Sequence, residues 1–252
     1  MTSLPKIGHA LAGKMLFGTH PMAPALQRIA QRMLHGPRDA TFQMRYGPAA
    51  GSYFSCLTSH KYFFVREDYE SDLVGPIESI VRASDIVFDI GAHFGYWVIV
   101  LSRLCGVTGM VFAFEPWSEN RARLAHNIVL NEIRNVEIIP FAVSDSVGLL
   151  RISEEGSMSK VGEGRVEMQA TALDFFCESH PLPNLIMIDV EGHAVEVLRG
   201  AAGILNSRPI PIICEVHDQR EKCAFEQIAF DRHRKVKDLG NASKFPYRAL
   251  LE

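Results

Sequence analysis

Acidic and histidine side chains follow several short apolar runs in this chain. They are Asp89, Glu115, Asp145 after Ser144, Asp189 with Glu191, and His217. Carboxylates and imidazoles take up protons or bind cationic groups, and the carboxyl ends of parallel strands meet at one edge of a sheet, where ligands bind. Each alone has another explanation: Asp89 or Glu115 could cap the next helix, and Asp145 could form a turn. His217 could be a core histidine with its hydrogen bonds satisfied. Their shared position after apolar runs favours a common site.

The most informative local motif is Asp89-Ile-Gly91-Ala-His-Phe-Gly95, which joins an apolar run to a helical pattern. A dinucleotide-binding turn carries a further, middle glycine that cradles a pyrophosphate, and this motif lacks it. Asp89 would repel a phosphate but suits a cationic amino-acid group such as that of S-adenosylmethionine. Glu115 follows Gly91 at about the spacing of a ribose-binding carboxylate. The alternative is a tight turn between strand and helix that binds nothing.

The elements that position these residues alternate regularly between strand and helix from residue 86 to residue 216. The pattern predicts strands Ile86–Ile90, Met110–Phe114, Val136–Val143 and Ile210–Val216, with a further strand ending before Asp189. It predicts helices Tyr96–Leu104, Glu119–Asn131 and Val195–Leu205. Such alternation indicates an α/β fold with a doubly wound, mostly parallel sheet and helices on both faces. Two strands, Val147–Ile152 and Val166–Thr171, and the loop Glu154–Gly164 between them interrupt it.

The two ends of the chain give weaker patterns. Residues 1–68 form a predicted extension, with a helix over Pro24–Leu34 that docks on the rest and a strand over Ser52–Val65. Residues 69–252 form the predicted main domain, which opens with a helix from Leu73 to Val81. Residues 219–239 are expected to be helical and Phe245–Leu251 to form a strand, and no final pair of strands can be identified.

Composition limits the classes of function. The 252 residues are 47% hydrophobic with a net charge of −3, so no basic surface argues for nucleic acid. Five scattered cysteines without a C-x-x-C motif predict a reducing, cytoplasmic location and neither disulfides nor zinc. No secretory signal or transmembrane run is expected. Basic residues near both ends leave peripheral membrane contact open, and the oligomeric state is open as well, including a homo-oligomer.

Several motifs, in order, resemble the FkbM-type methyltransferases. They are Phe88-Asp-Ile-Gly-Ala-His-Phe-Gly-Tyr96, Phe114-Glu-Pro116, Ala142-Val-Ser-Asp145, Ile188-Asp-Val-Glu-Gly192 with Val197-Leu-Arg-Gly200, and Ile213-Cys-Glu-Val-His217. The resemblance extends from about Tyr69 to His217. It implies a class I methyltransferase fold that uses S-adenosylmethionine. It also implies O-methylation of a hydroxyl on a sugar, glycolipid or polyketide-like small molecule.

The resemblance also implies roles for individual residues. The methionine part of the cofactor would lie against Asp89 and the loop Gly91, Ala92, His93, Phe94 and Gly95. Glu115 would accept hydrogen bonds from the ribose hydroxyls. The adenine would lie beside Pro116 and Trp117, with Val143, Ser144 and Asp145 at its edge. The transfer site would hold Asp189, Glu191 and His217, and Glu70, beside Tyr69, would precede the cofactor site.

Methyl transfer requires alignment of the acceptor with the donor and removal of the hydroxyl proton. We expect His217 or Asp189 to be the general base and Glu191 to orient it or the acceptor. A lesser alternative is a divalent cation, such as Mg²⁺, held by Asp189 and Glu191.

Two positions depart from the family pattern. His93 stands where the family more often has Asn, and Ala194 stands where it usually has Glu. Ala194 and the short tail leave open a catalytically impaired, cofactor-binding partner protein. A nucleotide-dependent oxidoreductase or epimerase is disfavoured by the missing glycine and by the absence of a Tyr-x-x-x-Lys motif.

Overall fold

The computed structural model describes residues 39–152, 166–239 and 245–251. The predicted helix Pro24–Leu34 and loop Glu154–Gly164 lie outside these residues. The strands are β1 (Asp39–Gln43), β2 (Tyr53–Leu57), β3 (Ile86–Ile90), β4 (Met110–Phe114), β5 (Val136–Ile139), β6 (Ala142–Val143), β7 (Gly148–Ile152), β8 (Val166–Thr171), β9 (Leu185–Ile188), β10 (Ile212–Val216), β11 (Val236–Asp238) and β12 (Tyr247–Leu251). The helices are α1 (Lys61–Phe64), α2 (Ser71–Ile80), α3 (Tyr96–Cys105), α4 (Ser118–Leu130), α5 (Leu173–Phe176), α6 (Ala194–Arg199), α7 (Ala202–Ser207) and α8 (Gln219–Asp231).

A seven-stranded sheet forms the centre, in the order β11-β12-β10-β9-β3-β4-β5. Strands β5, β4, β3, β9 and β10 pair in parallel, and β12 is antiparallel to both of its neighbours. The predicted doubly wound, mostly parallel α/β fold is therefore confirmed. A second sheet of three strands, β6-β8-β7, contains the two predicted strands that interrupt the alternation.

Alternating residues of the central strands enter two different cores, one on each face of the sheet. Phe88 on β3 packs in the core that includes Phe176 and Val197, whereas Val87 packs in the core that includes Val98 and Leu101. Successive side chains of a strand point to opposite faces, so a strand covered on both faces must be apolar throughout. This explains the continuous apolar runs at β3, β4 and β9.

Two predicted elements are each divided in the structure. The predicted strand Val136–Val143 becomes β5 and β6, separated by Pro140, which has no amide hydrogen to donate to a ladder. The predicted helix Val195–Leu205 becomes α6 and α7. Gly200 lies between them, and a Cβ atom there would come within 2.0 Å of the Ser144 carbonyl oxygen. The second helix begins where the Asp174 carboxylate accepts hydrogen bonds from the amides of Gly203 and Ile204.

Two predictions at the ends of the chain were wrong. The strand predicted over Ser52–Val65 ends at Leu57, and the chain turns into α1, where Phe64 packs on Phe54 with ring centroids 4.6 Å apart. The tail does contain a final pair of strands, because residues 236–238 leave the predicted helix and pair with β12. None of the described helices is long and apolar enough to cross a bilayer.

The hairpin β1–β2 is fixed to the main sheet through the buried side chain of Asn127 on α4. Its amide accepts a hydrogen bond from the Ser55 amide at 2.7 Å and donates to the carbonyl oxygens of Ser55 and Phe94. The described part of the predicted extension thus packs directly on α4 and on the glycine loop. The division at residue 68 stays a prediction.

Candidate functional site

A cavity of about 470 Å³ lies at the carboxyl ends of the central parallel strands. Most of the predicted site residues line it: Glu70, Asp89, Gly91, Ala92, His93, Phe94, Glu115, Pro116, Trp117, Val143, Asp189 and Glu191. Four others do not line it: Gly95, Ser144, Asp145 and His217. Its size suits a small organic ligand, and aromatic walls with a few polar groups are typical of such sites.

The carboxylate of Asp89 lines the cavity, and one of its oxygens has no hydrogen-bond partner among the described residues. Its side chain is buried, and its Oδ2 atom makes no hydrogen bond among the described residues. Burial, together with the nearby charges of Glu70 and Glu115, raises the pKa of Asp89 to about 7. A cationic ligand group beside Oδ2 would stabilise the ionised form. This orphaned oxygen is the feature that best fits an amino-acid ammonium group.

Glu115, at the end of β4, is held in one orientation by the neighbouring backbone. Its two oxygens accept hydrogen bonds from the amides of His93 at 2.8 Å and Trp117 at 2.9 Å. Burial raises the pKa of Glu115, although these amides work against that shift. A fixed carboxylate at the cavity wall can still accept hydrogen bonds from ligand hydroxyls.

The two glycines of the loop serve close packing as much as ligand binding. Gly91 lines the cavity and has a φ of +89°, and a Cβ atom there would lie 1.9 Å from the Asp189 carbonyl oxygen. Gly95 also has a positive φ, and a Cβ atom there would collide with Leu124 on α4. The loop therefore brings the ends of β3 and β9 together.

His93 adopts the left-handed conformation, with φ at 50°, and its ring stacks on Phe94 at 3.6 Å between centroids. Burial, together with His60 and Arg123, lowers the pKa of His93 to about 3. The imidazole is therefore neutral at physiological pH.

Two of the predicted adenine-edge residues lie away from the cavity. Ser144 is buried, and its hydroxyl lies 3.0 Å from Nε2 of His193, whereas Asp145 is exposed. Val143 lines the cavity, together with Ala142 of the same motif. The adenine-edge role implied for Ser144 and Asp145 stays a prediction.

The other end of the cavity holds a group that we name the acidic cluster: Asp189, Glu191, Glu215 and His217. Nε2 of His217 lies 3.7 Å from Asp189 Oδ1, 3.4 Å from Glu191 Oε2 and 3.5 Å from Glu215 Oε1. His217 stands behind the carboxylates, whereas Asp189, Glu191 and Glu215 line the cavity. The structure thus brings the three predicted catalytic residues together.

The acidic cluster shifts the ionisation of its own members. Burial alone would lower the pKa of His217, but the carboxylates of Glu215 and Glu221, with Asp189 and Glu191, raise it to about 10. The surrounding protein raises the pKa of Asp189 well above its usual range, and Glu215 and Glu70 add to this. About half of the Asp189 side chain, 53%, is open to the cavity, and water there weakens the shift.

Arg248 on β12 is a positively charged residue of the site that was not predicted from the sequence. It contacts Glu215 at 2.8 Å, Glu70 at 3.2 Å and Asp72 at 3.3 Å. Glu70 also accepts a hydrogen bond from the indole of Trp97. Arg248 lies directly across from Glu215 in the antiparallel pair β10–β12, a register that the sequence did not reveal. Glu215 itself could have been found, since it lies on β10 two residues before His217, which directly follows that strand, and side chains two residues apart along an extended chain share a face.

Glu221 on α8 supplies a further carboxylate behind the cluster. It is buried, accepts hydrogen bonds from the amides of Ala194 and His217 at 2.8 Å each, and lies 3.6 Å from Nδ1 of His217. Ala194 stands where the family usually has Glu, but the carboxylate of Glu221 lies beside this position. Together with the final strand pair, this weakens the reasons for expecting an impaired protein.

Comparison with known proteins gives a matching family model, a curated relative and solved structures. The model of the methyltransferase FkbM domain matches residues 89–241. Hexuronic acid methyltransferase AglP of Haloferax volcanii is 29% identical over 157 residues, which are 59% of this chain and 62% of that protein. The chain therefore spans less than two thirds of this relative.

Two solved structures have a similar fold. Methyltransferase FkbM from Methylobacillus flagellatus has a TM-score of 0.52 at 12% identity, over 92% of this chain and 59% of that one. SMU.1697c, a putative methyltransferase from Streptococcus mutans in complex with SAH, has a TM-score of 0.50 at 13% identity, over 74% and 97%. The family model covers more than half of the chain and begins at Asp89. The protein therefore belongs to the FkbM methyltransferase domain family.

Proposed function

We propose that this protein is an S-adenosylmethionine-dependent O-methyltransferase that acts on a hydroxyl of a sugar or related small molecule. Membership of the FkbM family supports the reaction class, and the name of the curated relative, a hexuronic acid methyltransferase, supports a sugar acceptor. The observation that carries the proposal is the buried Oδ2 of Asp89, which no described residue hydrogen-bonds, beside Glu115 and in the same cavity as the carboxylates of the acidic cluster.

The cofactor half of the cavity is formed by the ends of β3 and β4. Asp89 would bind the ammonium group of the cofactor, and Glu115 would accept hydrogen bonds from its ribose hydroxyls. Trp117 and Pro116 would contact its adenine. When bound, S-adenosylmethionine supplies a methyl group on positively charged sulfur, so that a carbon–oxygen bond to the acceptor forms while the carbon–sulfur bond breaks and its electron pair goes to sulfur.

The acceptor half is the acidic cluster. Asp189 faces the cavity and has a raised pKa, so we assign to it the uptake of the hydroxyl proton. His217 has a pKa of about 10 and holds its own proton at neutral pH, which disfavours it as the base. Glu191, at the rim, would orient the acceptor. Arg248 is the single lysine or arginine among the described lining residues, and three carboxylates already pair with it, which favours an uncharged acceptor.

The cellular setting is proposed on the cysteines. Cys56, Cys105 and Cys214 are buried thiols, and all five cysteines are free, which supports a reducing, cytoplasmic location. Peripheral membrane contact and homo-oligomer formation stay predictions.

Calorimetric titration of the full chain with S-adenosylmethionine and S-adenosylhomocysteine tests the cofactor. We expect micromolar binding, about −8 kcal/mol, which Asp89→Asn and Glu115→Gln weaken at least tenfold. Glu137→Gln, an exposed carboxylate on β5, is the matched control and should bind like the wild type.

Transfer of labelled methyl groups to a panel of neutral sugars and hexuronic acids then tests the reaction. Label in the sugar fraction supports the proposal. A wild-type protein that binds neither form of the cofactor would overturn it.

A further inference from the structure

The imidazole of His217 lies at the centre of a group of oxygens that are too far away for hydrogen bonds. Its Nε2 is 3.4–3.7 Å from one oxygen each of Asp189, Glu191 and Glu215, and hydrogen bonds of this kind span about 2.7–3.2 Å. This Nε2 is buried and makes no hydrogen bond to any described residue. The three carboxylates therefore face Nε2 of His217 without a hydrogen bond to it.

The separations fit a cation between the side chains. Around an ion with ligands at about 2.0–2.2 Å, neighbouring ligand atoms of a tetrahedral shell lie about 3.3–3.6 Å apart, and those of an octahedral shell about 2.8–3.1 Å. The separations of Nε2 from Glu191 and Glu215, 3.4 and 3.5 Å, lie within the tetrahedral range, and that from Asp189, 3.7 Å, is slightly beyond it. One ligand atom each from Asp189, Glu215 and His217 can be chosen so that all lie within 4.8 Å of one another.

The other side of the imidazole has the arrangement that metal-binding histidines usually have. Such a histidine presents its second nitrogen to a carboxylate, which fixes the ring and its tautomer. Here Nδ1 of His217 lies 3.6 Å from Oε2 of Glu221, an ion-pair separation without a hydrogen bond, and the amides of Ala194 and His217 hold that carboxylate in place. Glu221 thus places a fixed negative charge beside Nδ1, while Nε2 faces the three carboxylates.

We propose that Asp189, Glu215 and His217 bind a divalent cation, with Glu191 beside it at the cavity rim. The cation would take the place of the proton that Nε2 of His217 holds when no cation is bound. One nitrogen and several carboxylate oxygens form a mixed set that suits Mn²⁺ or Zn²⁺ better than the all-oxygen set preferred by Mg²⁺. This ligand set differs from the pair Asp189 and Glu191 considered above, because it adds Glu215 and His217.

The role of the cation rests on the proposed function. Three of its neighbours line the cavity, so the acceptor hydroxyl could become a further ligand, and coordination lowers the pKa of such a hydroxyl. Asp189 faces His217 through Oδ1, which leaves Oδ2 to receive the hydroxyl proton.

Titration of the metal-stripped full chain with Mn²⁺, without cofactor, tests the site. Electron paramagnetic resonance measures the free Mn²⁺ that remains. We expect one bound Mn²⁺ per chain, competition by Zn²⁺, and at least tenfold weaker binding in His217→Ala. His126→Ala, an exposed histidine on α4, is the matched control and should bind like the wild type.

Asp189→Ala gives a second test that leaves the packing behind the cavity in place, because about half of the Asp189 side chain is exposed. It should also weaken Mn²⁺ binding at least tenfold. The proposal would be overturned if the wild type bound no Mn²⁺ at millimolar concentration, or if both variants bound it as tightly as the wild type. Either result would favour a proton on His217.

A separate titration with S-adenosylmethionine distinguishes this failure from that of the proposed function. Cofactor binding without Mn²⁺ binding overturns the cation site alone. Mn²⁺ binding without cofactor binding supports the cation site and overturns the methyl-transfer proposal.

Discussion

The two halves of the cavity are built in different ways. The cofactor half takes Asp89 and Glu115 from neighbouring strands that one helix connects, and local backbone amides hold Glu115 in place. The acidic cluster gathers residues from the ends of β9 and β10, and Arg248 on β12 and Glu221 on α8 support it. Local sequence thus suffices to build the first half, whereas the second half exists only once the sheet has closed.

The halves also differ in how their charges are compensated. Asp89 keeps one buried oxygen that has no hydrogen-bond partner in the described part of the chain, so we expect a ligand to compensate it. Glu215 has Arg248 at 2.8 Å, and His217 stands among the carboxylates. We therefore expect changes in the cofactor half to alter binding, and changes in the acidic cluster to alter turnover and folding.

Asp189→Asn should have the largest effect. Loss of the proton acceptor should lower the rate of methyl transfer by about 10²–10⁴-fold. Cofactor affinity should stay within about threefold, a change below 1 kcal/mol, because Asp89 and Glu115 are untouched. Single-turnover rates beside calorimetry measure both. Equal losses in turnover and in cofactor affinity would show that the two halves are not separable.

Arg248→Met should have the next largest effect, on folding. Glu70 and Glu215 would lose their counter-charge in a largely buried setting, which should lower the free energy of unfolding by about 3 kcal/mol. Arg151→Met is the matched control, because the pair Arg151–Glu167 is exposed and should contribute less than about 1 kcal/mol. Urea denaturation compares the two variants. Equal losses would mean that Arg248 does not stabilise the cluster.

Asp89→Asn should separate binding from stability in the cofactor half. Loss of a charge-assisted hydrogen bond should weaken cofactor binding at least tenfold, about 1.5–3 kcal/mol. In the cofactor-free protein the same change should be stabilising above pH 7, because the wild type must then bury an ionised carboxylate.

The sign of this pH effect follows from the pKa of Asp89, which is about 7 in the folded protein against an ordinary value of 3.8. Between these two values the folded state holds a proton that the unfolded chain has released, so wild-type stability falls as pH rises through them. The stabilisation by Asp89→Asn should therefore be small at pH 4 and reach up to about 4 kcal/mol at pH 8. Thermal unfolding at both pH values measures it, and an equal effect at both would contradict the assigned pKa.

The same contrast explains what the sequence could predict. Apolar runs and helical spacing identify β3, α3 and β4, and with them Asp89 and Glu115, because these features depend on neighbours in the chain. Two breaks were missed, one at Pro140 in the predicted strand and one at Gly200 in the predicted helix, although proline and glycine commonly interrupt such elements. The pairing of Glu215 with Arg248 depends on the register of β12, which is set by contacts across the sheet. Asp145 follows an apolar run as Asp89 does, yet it is exposed. The strand before it, β6, belongs to the three-stranded sheet and not to the central one.

His93→Asn should have the smallest effect, and it tests whether the cofactor half tolerates the residue more common in the family. Asn accepts the left-handed conformation that His93 adopts at φ 50°, and the amide that binds Glu115 belongs to the backbone and is retained. The variant loses the ring stacked on Phe94, so we expect cofactor affinity within about threefold of the wild type, below 1 kcal/mol. Because the pKa of His93 is about 3, the ratio of the two affinities should be constant from pH 5 to pH 9. A ratio that changes across this range would show that His93 carries a charge, and the loop would then repel the cationic group that Asp89 is proposed to bind.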